Sequence, residues 1–229
     1  MWRQVYAVHM DSSNVQNSNQ KLNNKDRRAS SATKDRLLRA AADLVVELGW
    51  GRVTTRAIAE RADLPHGTVS YHFNSKQELL IDAVLRAVED VFPIAMIREL
   101  NSVTELVALI AATLTSCNAL DSVETRVLME SMREAGREPL LRKRLADLLS
   151  DYRQALEELI RNDQGHSNLK PGLTPSALAM LLSALGDGLL LHLIVDPELD
   201  VGEAVKALGS LLGVNLREAP NEPDYPEKG

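Results

Sequence analysis

The stretch Val53–Lys76, VTTRAIAERADLPHGTVSYHFNSK, decides how the amino-terminal part of this chain folds. Ile58, Ala59 and Ala62 recur at helical spacing and mark one buried face. Thr54 stands where a helix start needs a side-chain oxygen for its free amides. Asp63-Leu64-Pro65 interrupts that pattern. A second short helix follows, with Val69 and Phe73 four apart on the inner side over Leu64, so His66, Gly67, Thr68, Ser70, Tyr71 and His72 point largely outward. Two short helices across a tight turn, the second with a polar outer face, suit a DNA major groove. Ser75 and Glu78 then stand at capping-box spacing and open a third helix, whose first turn carries Lys76 within reach of a phosphate.

Upstream, residues 33–48 read as a helix with Leu37, Leu38, Ala41, Leu44, Val45 and Leu48 on one face, closed by Gly49. It supplies a floor for the helix pair. Residues 1–31 are rich in Asn, Ser, Gln and charge without periodicity and read as a disordered arm, in which Lys25-Asp26-Arg27-Arg28 is either a solvated linker or a contact to DNA backbone. Either Met1 or Met10 serves as the start.

The segment from Thr33 to Leu80 resembles the DNA-binding head of the tetracycline-repressor (TetR) family of bacterial regulators. The resemblance is carried by Thr54-Thr55-Arg56, Ile58-Ala59, Ala62, Gly67-Thr68, Tyr71-His72-Phe73 and Lys76 in the family's order and spacing. One departure is Pro65, which offers no side-chain oxygen where many members have a cap. The resemblance implies that Arg56, His66, Thr68 and Tyr71 meet base edges, and that Thr55, Ser70, Tyr71, His72 and Lys76 meet phosphates. It also implies a repressor that leaves a palindromic operator when a small-molecule effector binds. The alternative is a helical regulator whose body binds a protein partner.

A net charge of −6 looks wrong for a DNA binder until it is divided. Residues 1–80 hold 12 Lys+Arg against 8 Asp+Glu (+4), whereas residues 81–229 hold 14 against 24 (−10). Phosphate attraction is therefore concentrated at one end. At 229 residues the chain is long enough for a head, residues 32–80, and a larger body, residues 81–217, with a Pro-rich flexible tail at 218–229. No apolar run free of polar breaks reaches the roughly 18 residues of a membrane span. The richest, Leu178 to Val195, is broken by Gly186-Asp187-Gly188 and His192. The first residues lack a signal peptide's apolar block and Cys117 is the single cysteine, so a cytoplasmic protein without an internal disulfide is expected.

Every strong signal in the body is helical, giving an all-α fold of about nine helices. Pro93 stops or kinks the helix from Ser75. Ser102 with Glu105, Asp121 with Glu124, and Asp200 with Glu203 stand at capping-box spacing; Glu138-Pro139 and Thr174-Pro175 open two longer helices. Glu134 to Pro139, and Leu185 to Leu190 ahead of Asp196-Pro197, resemble landmarks of one TetR subgroup's ligand domain. The helix from Thr174 to Val195 is apolar on more than one face. Leu182, Leu185, Leu189 and Leu193, with Val205, Leu208 and Leu212 of the last helix, are the expected homodimer interface across a four-helix bundle.

No phosphate loop, nucleophile elbow or His-Glu-x-x-His motif is present, and no cofactor, metal site or enzyme activity is expected. Glu157, Glu158 and Asp187 read as lone carboxylates. Phe92, Met96 and Met129 are the expected lining of an apolar effector pocket, with Arg133 and His192 as its polar contacts, although core packing explains each singly. Aromatics at 3% argue against an aromatic cage for a quaternary ammonium.

Overall fold

A computed structural model describes residues 12–115, 122–163 and 173–213. These form ten α-helices and one 3-10 turn, with no strand among the described residues. The chain divides into two compact units, Met1–Ala83 and Val84–Gly229, so the boundary falls inside the helix Lys76–Val91.

In the first unit α1 (Ser12–Leu48) runs into a 3-10 turn (Trp50–Arg52), followed by α2 (Thr55–Arg61), α3 (Gly67–His72) and the start of α4 (Lys76–Val91). The helix α1 begins well before Thr33, against the expectation of disorder up to residue 31. No Gly or Pro interrupts residues 12–48, so nothing breaks the helix. Apolar periodicity reports only where it packs: residues 28–32 are exposed, and burial begins at Leu37. Gly49 ends α1 with φ 80, a left-handed conformation that glycine adopts without a Cβ clash, and its amide donates to the Val45 carbonyl at 3.0 Å.

In the second unit α5 (Ile94–Glu99) follows the Pro93 break as a short separate helix, which raises the count above nine. Then come α6 (Val103–Thr115), α7 (Val123–Ala135), α8 (Pro139–Asp163), α9 (Pro175–Val195) and α10 (Val201–Leu211). One apolar core joins Val107, Leu156, Ile160, Leu178, Leu182 and Val205, drawn from α6, α8, α9 and α10. Buried Asp163 at the end of α8 accepts from the Val103 amide at 2.9 Å, tying α8 to the first turn of α6.

The caps follow the sequence with small shifts. Ser102 Oγ accepts from the Glu105 amide at 3.2 Å, but Glu105 reaches back to the Asn101 amide at 2.7 Å, one residue earlier than a reciprocal box requires. At α7 the cap is Ser122, accepting from the Thr125 amide at 3.1 Å; Asp121 lies outside the described residues. Residues 1–11 and the tail 218–229 lie outside them too.

The helix α9 is, by length and composition, apolar enough to cross a membrane, contrary to the reading of that run as broken. A single carboxylate, Asp187, does not exclude such a span by composition alone. Its Leu178, Ala179 and Leu182 are instead spent on the core of the second unit.

Candidate DNA-contacting head and effector cavity

Thr54 caps α2 by accepting from the Ala57 amide at 3.1 Å, and Ile58 and Ala59 are fully buried. Asp63 takes φ 50, a left-handed turn residue that an Asp tolerates better than most. Arg36 of α1 donates to the Asp63 carbonyl at 3.1 Å and also to the Ala62 carbonyl, fastening the turn to α1. Arg61 grips Glu47 of α1 through two bonds of 2.8 and 2.7 Å, and that contact holds the Glu47 carboxyl below its ordinary range. Neither arginine stood out in the sequence, because an isolated Arg on a helix carries no pattern.

Pro65 supplies its carbonyl to the Thr68 amide at 2.9 Å, while His66 occupies the cap position of α3 without a side-chain bond. The recognition helix therefore starts at Gly67. Val69 and Phe73 are buried beneath it, and Thr55, Arg56, His66, Gly67, Ser70 and Tyr71 are exposed, Tyr71 to 82%. Thr68 and His72 are half-buried. Tyr71 and His72 stack edge to face with centroids 5.0 Å apart. Among the described residues Arg56 has no ion pair. An exposed phenol ring held clear of the surface has no role in the core.

Lys76 is partly engaged. Its Nζ donates to the Val53 carbonyl at 3.0 Å, next to the Thr54 cap. Ser75 caps α4 by accepting from the Glu78 amide at 3.0 Å, and Glu78 answers at the Asn74 amide at 3.1 Å.

The second unit holds a cavity of about 530 Å³, lined from α4 by Asp90 and Val91, and from α8 and α9 by Tyr152, Asp187, Leu190 and Leu193. Phe92, Met96, Leu106 and Ile110 complete its apolar wall. The volume lies within the range of small-molecule sites. Phe92 and Tyr152 meet with ring centroids 5.0 Å apart and planes at 65°. Burial, and then the negative charge of Asp187, pushes the Tyr152 phenol up to about 12. Burial likewise raises Asp187, with Arg153 opposing it.

Of the expected pocket residues, Phe92 and Met96 line this cavity and Met129, Arg133 and His192 do not. Arg133 pairs with Glu130 on the surface at 2.6 Å, an i, i+3 contact that consumes its charge. His192 is exposed on α9. Tyr152 and Asp187 went unrecognised, although an ionisable residue inside an otherwise apolar helix was the available signal.

Most residues of the expected dimer face lie inside the second unit itself. Leu182, Leu193, Val205, Leu208 and Leu212 are buried in the core of the unit, and Leu189 packs against it. Only Leu185 of that set is exposed. The uncovered face of α9 carries Met180, Leu181, Leu185, Leu191 and Val195, with Leu181 at 60% and Val195 at 79% exposure. With apolar residues all round α9, the sequence could not say which stripe the subunit's own core takes.

Residues 37–83 match the family described as bacterial regulatory proteins, tetR family, and residues 103–216 match the BetI-type transcriptional repressor carboxy-terminal domain. The chain belongs to the TetR family of transcriptional regulators: it is a helix-turn-helix DNA-binding protein and not an enzyme. No curated protein matches it. Among solved structures, a transcriptional regulator from Saccharomonospora viridis in complex with choline is 26% identical, with a TM-score of 0.62 over 79% of this chain and 95% of that one. Reduced NemR of E. coli, at 16% identity, has a TM-score of 0.69 over 80% of this chain and 100% of that one. Salmonella enterica GusR, at 20% identity, reaches 0.64 over 79% and 95%. These last two share the fold.

Proposed function

We propose that the protein is a homodimeric repressor in the cytoplasm, which holds a palindromic operator through α2 and α3 and releases it when a small molecule fills the cavity of the second unit. The carrying observation is the outward set on α2 and α3: Arg56, which has no ion pair among the described residues, and Tyr71, exposed on the helix whose inner side buries Val69 and Phe73. Arg56, His66, Thr68 and Tyr71 read base edges, and Thr55, Gly67, Ser70, Tyr71, His72 and Lys76 meet backbone phosphates. One recognition helix makes too few contacts to hold an operator alone, so two copies share it.

The second copy docks on the uncovered face of α9. Burying each of Leu181, Leu185 and Leu191 there is worth about 1.5–3 kcal/mol. Gly188 lies on the same stripe as Leu181 and Val195, where an added Cβ would meet nothing within 4 Å, leaving room for close approach by another helix. The effector acts through α4, which begins at Lys76 and ends at Val91 on the cavity wall. A ligand shifts this equilibrium only by binding the released state more tightly. The choline complex of the Saccharomonospora viridis regulator supports small-molecule binding by a body of this fold.

Titrating purified protein onto labelled DNA from its own promoter region tests this reading. Saturable, salt-dependent binding of two subunits per site, reversed by a compound that also raises the melting temperature, is the expected result. Binding that no cavity-filling compound reverses would leave a regulator without an effector.

A further inference from the structure

Between α2 and α3 lies a concavity of about 510 Å³, lined by Arg56, Glu60, Asp63, Leu64, Pro65 and His66. It brings Arg56 and His66, both proposed above to meet base edges, together with a carboxylate that has no part in the turn. Glu60 is exposed and stands four residues after Arg56, on the same side of α2. Its carbonyl serves the turn, by accepting from the Asp63 amide at 3.0 Å. Its carboxylate, among the described residues, has no ion pair and no hydrogen bond. The other charges nearby are engaged: Asp63 lies 3.8 Å from Arg36, and Arg61 is held by Glu47.

We propose that Glu60 is a specificity-determining residue of the DNA-reading surface, and that its carboxylate accepts a hydrogen bond from the exocyclic amino group of a cytosine in the major groove. This role rests on the assignment of α2 and α3 to DNA. A carboxylate beside a phosphate backbone is repelled by it, and stripping its water there costs free energy unless a donor takes the water's place. In the major groove the cytosine amino group is such a donor. A thymine or guanine at that place would set an oxygen acceptor against the carboxylate, so the wrong base is penalised and not merely unrewarded. Adenine sets its N7 acceptor beside its amino group, which an amide meets well and a carboxylate does not. Arg56 can only donate and Glu60 can only accept. One helical turn of about 5.4 Å separates them, against about 3.4 Å per base step, so the two address different base pairs.

Selection from random-sequence duplexes by the full-length wild type, Glu60→Gln, Glu60→Ala, Asp63→Asn and Arg56→Ala, followed by competition binding of the recovered duplexes, tests this. Wild type is expected to enrich a repeat with a cytosine in each half-site whose replacement by thymine weakens binding about tenfold. Glu60→Gln is expected to shift that position toward adenine. Glu60→Ala is expected to leave it degenerate and to bind a scrambled duplex more tightly than wild type does, at a position distinct from the one that Arg56→Ala relaxes. Asp63→Asn removes a charge from the same wall without a base partner, so it is expected to tighten all sequences alike and to keep the wild-type base preferences. Unchanged base preferences in both Glu60 variants, with helical circular dichroism intact, or the same relaxation in Asp63→Asn, would overturn the role of Glu60 and leave DNA reading by α2 and α3 in place. Recovery of no common sequence by wild type would overturn DNA reading itself, and this role with it.

Discussion

The helices α3 and α9 both present an outer face that their own unit leaves uncovered, and the two faces are opposites. On α3 the buried side is Val69 with Phe73 just beyond it, and the outer side is Gly67, Ser70 and Tyr71, polar and small except for one phenol. On α9 the buried side is Leu178, Ala179, Leu182 and Leu193, and the outer side is Met180, Leu181, Leu185 and Leu191, as apolar as the core. A polar outer face can stay in water until DNA replaces that water. An apolar one has a standing reason to associate. The same chain thus displays one polar surface suited to a nucleic acid and one apolar surface suited to association.

The contrast breaks most sharply at two adjacent leucines. Leu182→Arg places an unpaired charge in the core of the second unit, and a loss of about 3–5 kcal/mol is expected, read as a collapse of the denaturation midpoint. Leu181→Arg, one residue earlier on the uncovered face, is expected to leave helical circular dichroism intact and to yield a monomer by sedimentation. A Leu181→Arg protein that stays dimeric would place the self-association surface elsewhere.

On the polar face the expected effects are smaller. Arg56→Ala should cost about 1–3 kcal/mol on operator DNA and relax preference at one base position, measured by competition against single-substitution operators. Lys76→Ala is expected to weaken operator and random DNA alike and to flatten the salt dependence by about one unit. Because Lys76 also donates to the Val53 carbonyl, an unchanged slope with a lower melting temperature would assign it to that carbonyl alone.

The smallest effect concerns Asp187 in the ligand-free protein. Burial raises its carboxyl above the ordinary Asp value, so the folded protein holds that proton more tightly than the unfolded chain does. The carboxyl therefore costs stability once pH rises through the raised value, and costs nothing below the ordinary one. Asp187→Asn should raise the melting temperature at neutral pH, an advantage that disappears in acid. A pH-independent difference between the two would assign the effect to packing rather than charge, with the nearby Tyr152 remaining neutral throughout.

The head was legible because each of its devices is local. Thr54 and its partner amide are three residues apart, as are Ser75 and Glu78, and a buried stripe with a polar opposite face is written into a few consecutive turns. The braces that fix it, Arg36 to the turn carbonyls and Arg61 to Glu47, join distant residues and leave no trace in spacing. The body was legible only as helices. Which face of α9 meets its own core depends on how α6, α8 and α10 pack, and the expected stripe of Leu182, Leu193 and Val205 proved to be that core. The cavity was harder still. Met129 sits at a plausible spacing yet outside the lining, whereas Tyr152 and Asp187 converge from two helices.

The central claim is that α2 and α3 of two copies read an inverted repeat. The most direct test is selection of duplexes from fragmented genomic DNA by the wild-type protein, with Arg56→Ala carried through in parallel. Wild type is expected to enrich a twofold-symmetric sequence, and Arg56→Ala to enrich the same repeat with one position per half-site degenerate. Recovery of no common sequence, or of an asymmetric one whose base preferences are the same in both proteins, would contradict the account.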